Sequence, residues 1–107
     1  MAGETLTGEY FAGAPVYSKL IDVGALPNNS DKNVSTGLTS VNYVWIDTAN
    51  SMVFNSGAHY PFPYIDPGSL SNAITGRLQN SFTTLTITTK TNWTGYACIV
   101  AIKYTKL

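Results

Sequence analysis

The apolar and polar positions of this chain follow the period of β-strands. In the stretch Tyr96–Tyr104, Tyr96, Cys98, Val100, Ile102 and Tyr104 share one face. Ala97, Ile99 and Ala101 share the other, which turns polar only at Lys103. A half-exposed strand alternates apolar with polar, so a strand apolar on both faces needs cover on two sides. It is expected either as the central strand of a sandwich or as a strand with one face against another subunit. Val41–Asp47 has the same character, with Val41, Tyr43 and Trp45 opposite Asn42, Val44 and Ile46. Trp45 is accordingly read as core or subunit interface. Phe82–Thr89 alternates cleanly, with Leu85 and Ile87 on one side and Thr84, Thr86 and Thr88 on the other. Threonine suits a pleated face that is exposed or packed against polar partners.

Further strands are expected at Glu9–Phe11, Val16–Val23, Lys32–Ser35, Ser51–Phe54 and Ala73–Gln79. Turn signals fall between them, among them Gly13-Ala14-Pro15, Leu26-Pro27-Asn28-Asn29, Asp66-Pro67-Gly68 and Asn80-Ser81. Phe82–Thr89 and Tyr96–Tyr104, joined by Lys90–Gly95, read as a terminal hairpin. Short strands at this spacing predict an all-β fold, a small antiparallel β-sandwich with little or no helix. One segment is ambiguous. Leu70, Ala73, Ile74 and Leu78 fall near helical spacing, with Ser69 or Ser71 as N-cap. The alternation of Ile74, Gly76 and Leu78 favours a strand, and Gly76 would weaken a helix by roughly 1 kcal/mol. Residues 55–72 read as a long ordered loop held by Pro61, Pro63 and Pro67.

Composition narrows the function classes. At 107 residues there is room for one domain with one thin core. The formal net charge is +0 and 11% of residues are charged, so attraction to nucleic acid is not expected. With 44% apolar residues, such a lightly charged surface favours self-association. No apolar run approaches 18 residues, so no membrane insertion is expected. Cys98, the single cysteine, reads as a small buried hydrophobe. The short polar opening suits a domain excised from a longer chain.

Catalytic groups are sparse. His59 is the single histidine, no Gly-x-Ser-x-Gly elbow is present, and Glu4, Glu9, Asp22, Asp31, Asp47 and Asp66 are scattered over strand ends and turns. There is no zinc-type Cys/His spacing, calcium loop or phosphate loop, so no catalytic residue, metal or cofactor is assigned. The loop aromatics are the stronger lead. Tyr60-Pro61-Phe62-Pro63-Tyr64 carries three rings in five residues beside His59, and Trp93 sits in a turn between Asn92 and Thr94. Aromatic faces flanked by amides and hydroxyls suit sugar rings, whose C–H faces stack while their hydroxyls hydrogen-bond. The same rings would also serve to close the open end of a small sandwich. Trp93, Asn92, Thr94, His59, Tyr60, Phe62 and Tyr64 are the candidate binding residues.

The order of several short motifs resembles a known module. Gly8-Glu9-Tyr10 leads into Gly13-Ala14-Pro15-Val16-Tyr17-Ser18-Lys19, followed by Gly24-Ala25-Leu26-Pro27-Asn28, Lys32-Asn33-Val34-Ser35-Thr36-Gly37-Leu38 and, at the end, Thr94-Gly95-Tyr96 and Lys103-Tyr104-Thr105-Lys106. This is similar to a small β-module near the C-termini of bacteriophage tail fibre and related tail proteins. That module reads "G-K-P-V-Y-R-K", "G-x-L-P-N", "K-x-V-x-H-G-I" and "S-G-Y-x-A-Y-V … Y-T-K". The chain departs from it at Ala14, Ser18 and Ser35-Thr36, and residues 48–72 have no counterpart. The resemblance implies a sandwich-like fibre tip in the virion, made in the bacterial host cytoplasm. It further implies a homotrimer that binds a host-surface polysaccharide or protein without catalysis. On this reading residues 1–8 are a lead or linker from the preceding fibre region, and 9–107 form the domain. The alternative is a structural trimerisation or assembly module, with adhesion located elsewhere.

Overall fold

The computed structural model describes residues 4–69 and 72–107. Eight strands follow in chain order: β1 (Glu4–Phe11), β2 (Ala14–Ala25), β3 (Asp31–Ser35), β4 (Val41–Phe54), β5 (His59–Pro61), β6 (Ile74–Gln79), β7 (Thr84–Thr89) and β8 (Ala97–Lys106). They form two antiparallel sheets, one of five strands in the order β1-β2-β8-β4-β5 and one of three in the order β3-β7-β6. The small all-β sandwich expected from the pattern is the fold observed.

β8 is the centre of the larger sheet, between β2 and β4. Its face of Cys98, Val100, Ile102 and Tyr104 enters the core, where Leu85 and Ile87 of β7 and Ile74 of β6 meet it from the smaller sheet. Among the described residues no second sheet covers the opposite face. There Ala101 is buried between its cross-strand partners Leu20 and Asp47, while Ala97 and Ile99 are half-buried. Burial pushes the Cys98 thiol up to about 12, which fits its place in the core.

Two lysines join strands that share no ladder. Lys19 of β2 donates to the Thr36 carbonyl just after β3 at 2.8 Å, and Lys32 of β3 donates to the Ala25 carbonyl at the end of β2 at 2.8 Å. On the outward face of the smaller sheet the threonines of β7 have polar partners. Gln79 donates to Thr86, Thr86 donates to Asn33 at 2.8 Å, and Thr88 donates to Asp31 at 2.7 Å.

Several sequence expectations are corrected. β7 and β8 are not a hairpin: they lie in different sheets, and residues 90–96 cross between the sheets. β7 begins at Thr84 rather than Phe82, because Asn80, Ser81 and Phe82 form a turn with φ of 55°, 56° and 69°. Val41–Asp47 and Ser51–Phe54 are one strand interrupted by a bulge. There Asp47 accepts from the Ala49 amide and the Asn50 side chain, and Ser51 Oγ accepts from the Ala101 amide at 2.9 Å. Side chains thus replace the ladder bonds that the bulge breaks. β1 starts at Glu4 rather than Glu9, and Glu4, Thr5 and Leu6 pair with Lys19, Ser18 and Tyr17 of β2. Within the loop of 55–72, β5 pairs with the end of β4. The ambiguous segment is strand from Ile74 to Gln79, and Leu70 and Ser71 lie outside the described residues.

Candidate functional site

The connections at 26–30, 55–58, 62–69 and 90–96 gather at one end of the sandwich. This is where the aromatics singled out from the sequence meet. Residues 27–29 clamp 91–93 through Trp93 N–H to the Pro27 carbonyl at 3.3 Å and Asn29 N–H to the Thr91 carbonyl at 3.0 Å. The clamp carries the Trp93 ring to Tyr60, Tyr64 and Tyr96, with centroids 5.9, 5.9 and 4.9 Å away and all three contacts edge-on. Tyr60 also lies 4.9 Å from Tyr64 and 5.8 Å from Tyr96. Hydrogen bonding with Tyr96 raises the Tyr60 phenol above its ordinary value.

The fold therefore unites residues 30 positions apart, but not as a row of exposed rings. Trp93 is 9% exposed and Phe62 1%, so of the two uses open to the loop rings these two serve to close the end of the sandwich. Phe62 lies over Gly76 of β6, the strand residue with no side chain to exclude it. Trp93 is the hub of an aromatic plug, and its indole N–H is buried with no hydrogen-bond partner among the described residues. Tyr60 and Tyr64 are half-buried, whereas His59, Asn92 and Thr94 are exposed. Asn92 Oδ1 accepts from both the amide and the hydroxyl of Thr94, at 3.0 and 2.7 Å. Beside the plug a groove of about 560 Å³ runs between Phe54–Ser56 and Thr94–Ala97.

The second aromatic group escaped the sequence reading. β1 bulges between Leu6 and Tyr10, and its end bends over the outer face of the larger sheet. The Phe11 ring stands 5.3 Å from Tyr43 and 5.1 Å from Trp45, alternate residues of β4 on that face. Val16 and Thr105, on the same face, are buried. Phe11 and Tyr43 remain about half exposed, and the three rings line a cleft of about 510 Å³. One signal for it was present: Val41–Asp47 is apolar on both faces, and only one face of a strand can enter the core.

Next to this cleft, Lys103 lies directly opposite Trp45. Its ammonium group is 2.8 Å from Glu9 and 3.8 Å from Asp47, and the Glu9 hydrogen bond is the main reason its pKa is raised. A polar groove of about 830 Å³ continues from there over Ala101 and Ser18, between β1 and Asn50. Every carboxylate in the chain has a structural partner. Glu4 accepts from Tyr104 and Lys106, and Asp31 pairs with Thr88 and Arg77. Asp22 accepts the Gly24 amide at a bulge in β2, Asp66 accepts the Gly68 amide in its turn, and Glu9 and Asp47 hold Lys103. No group of three or more His, Cys, Asp or Glu able to hold a metal ion occurs among the described residues. No helix among the described residues is long and apolar enough to cross a membrane.

Comparison with protein-family models, with curated proteins and with solved structures gave no match for this chain.

Proposed function

We propose that this chain is the distal receptor-binding domain of a bacteriophage tail fibre. In this reading it acts as a homotrimer in the virion and binds a host-surface glycan without catalysis. The observation that carries it is an all-β sandwich with tyrosines, amides and hydroxyls gathered beside an open groove, while each of its six side-chain carboxylates is engaged in a turn, a bulge or an ion pair. That is the inventory of a binding surface, since ring faces, amides and hydroxyls are the groups that hold a sugar. The motif resemblance supplies the fibre and the trimer. The test is a screen of the isolated domain against host cells and a glycan array, with light scattering for its mass. Saturable binding by a species three times the monomer mass supports the proposal. A monomer that binds neither cells nor glycans would overturn it.

One observation favours a second reading, an assembly module. The outer sheet face carries Leu20, 40% exposed and opposite Ala101, and Met52, 38% exposed and opposite half-buried Ile99. Apolar side chains grouped on an open sheet face are what a subunit contact uses. A stable trimer that binds neither cells nor glycans would favour this reading over the first.

A further inference from the structure

We infer that the outer face of the larger sheet holds an oligosaccharide site, with the Phe11–Tyr43–Trp45 cleft as its stacking platform and the Lys103–Glu9–Asp47 cluster as its hydroxyl-binding edge. The inference rests on the glycan-binding reading but moves its centre away from the loop end. At the loop end the largest ring, Trp93, is buried among three tyrosines and offers little face to a ligand. On the sheet face Phe11 and Tyr43 keep about half their surface.

The argument for a sugar is one of adjacent chemistry. A pyranose has apolar C–H faces and a polar rim, so it needs a ring to lie on and mixed donors and acceptors beside it. Trp45 and Lys103 are cross-strand partners, so one strand spacing of about 4.8 Å separates platform from charged edge. A sugar stacked in the cleft brings its hydroxyls over the Lys103 ammonium, a donor, and the Glu9 and Asp47 carboxylates, both acceptors. The polar groove beyond offers the Ser18 and Thr5 hydroxyls to further residues of a linear chain, while Thr7 and Asn50 in its wall are already bonded to Val16 and Asp47. Two carboxylates against one ammonium leave this edge net negative, so the site selects neutral hexoses and disfavours uronates and sialates. The cleft and the groove are each within the usual size of a small-ligand site. A purely apolar partner would gain nothing from the charged cluster and would bury it at a cost.

The test titrates the full chain with neutral hexose tetrasaccharides of gluco, galacto and manno configuration, and with a hexuronate tetrasaccharide as the charged counterpart. Calorimetry and two-dimensional NMR supply the readouts. Binding of one neutral probe, with shifts at Tyr43, Trp45 and Lys103, is the expected result. Trp45→Ala should weaken it tenfold or more, and Tyr43→Ala, which removes a half-exposed ring, should weaken it without loss of fold. Arg77→Ala, on the smaller sheet away from both aromatic groups, should leave it unchanged. Neutral binding that survives Trp45→Ala and Tyr43→Ala but is lost in Tyr60→Ala would overturn this site while the glycan-binding reading stands. Cell binding without any shift on the sheet face would do the same. A change of oligomeric state in Tyr43→Ala, without oligosaccharide binding by the parent, would make the cleft a contact between copies and sink the inference.

Discussion

The contact between Phe62 and Gly76 tests how far the loop aromatics belong to the core. A Cβ at position 76 would stand 2.7 Å from Phe62 Cζ and 3.2 Å from Ile87 Cδ1. Carbon atoms in contact sit at about 3.5–4.0 Å, so the ring would have to withdraw by roughly 1 Å. It has nowhere to go, because Phe62 is 1% and Ile87 0% exposed. Overpacking of this kind costs about 1–3 kcal/mol. Replacing a strand glycine with alanine returns roughly 0.5–1 kcal/mol of backbone entropy. Gly76→Ala should therefore destabilise the domain by about 1–2 kcal/mol net. For a domain this size each kcal/mol moves the Tm by about 4–8 °C. Phe62→Leu shortens the obstructing ring, so the double variant should be more stable than the sum of the single effects by at least about 0.5 kcal/mol. Urea and thermal unfolding of the four proteins measure this directly. A neutral or stabilising Gly76→Ala together with an additive double variant would refute the packing, and would return Phe62 to the solvent-facing role its sequence context suggests.

Three further outcomes follow from the same coordinates. Cys98, buried in the core with its thiol pushed up to about 12, should resist iodoacetamide at pH 8 until denaturant is added; fast labelling of the native protein would contradict its burial. Glu4 is held below its ordinary value of 4.5 by hydrogen bonds from Lys106 first and Tyr104 second. Its stabilising effect is present above that value and lost as pH falls through the lowered one, so the Tm gap between the parent and Glu4→Gln should close on acidification. A gap constant from pH 7 to pH 3 would show that the pair does not titrate as described. Ala101→Glu puts a carboxylate at a 2% exposed position opposite Asp47 and should cost roughly 2 kcal/mol or more, whereas Ala97→Lys at a half-buried position should leave the fold intact. Equal Tm values for the two variants would mean that the sheet's outer face is not packed as observed.

Much of the architecture was legible because strand alternation is local. Leu85 and Ile87 against Thr84, Thr86 and Thr88 foretold which face of β7 enters the core, and the threonines found the polar neighbours their position called for. The large face of β8 was equally plain. What failed were inferences about pairing. Lys90–Gly95 has the length and composition of a hairpin turn, yet it crosses between sheets, because the burial that decides the partner is shared with β2 and β4, far away in sequence. Asp47–Ser51 looked like a break between strands, since nothing local shows that Ser51 finds the Ala101 amide.

The candidate site divides in the same way. The sequence by itself determined that the chain is a small β-sandwich with a single histidine, a single cysteine and aromatic rings clustered at 60–64 and 93. Only the tertiary structure decided which rings are spent on packing. Trp93 and Phe62 are drawn inside because three tyrosines and an unfilled glycine position enclose them. Phe11, Tyr43 and Trp45 are left on the surface because one face of a strand can enter the core and, among the described residues, no second sheet covers the other. Exposure depends on all the neighbours of a side chain, and most of those neighbours are set by pairings that no local stretch of sequence contains.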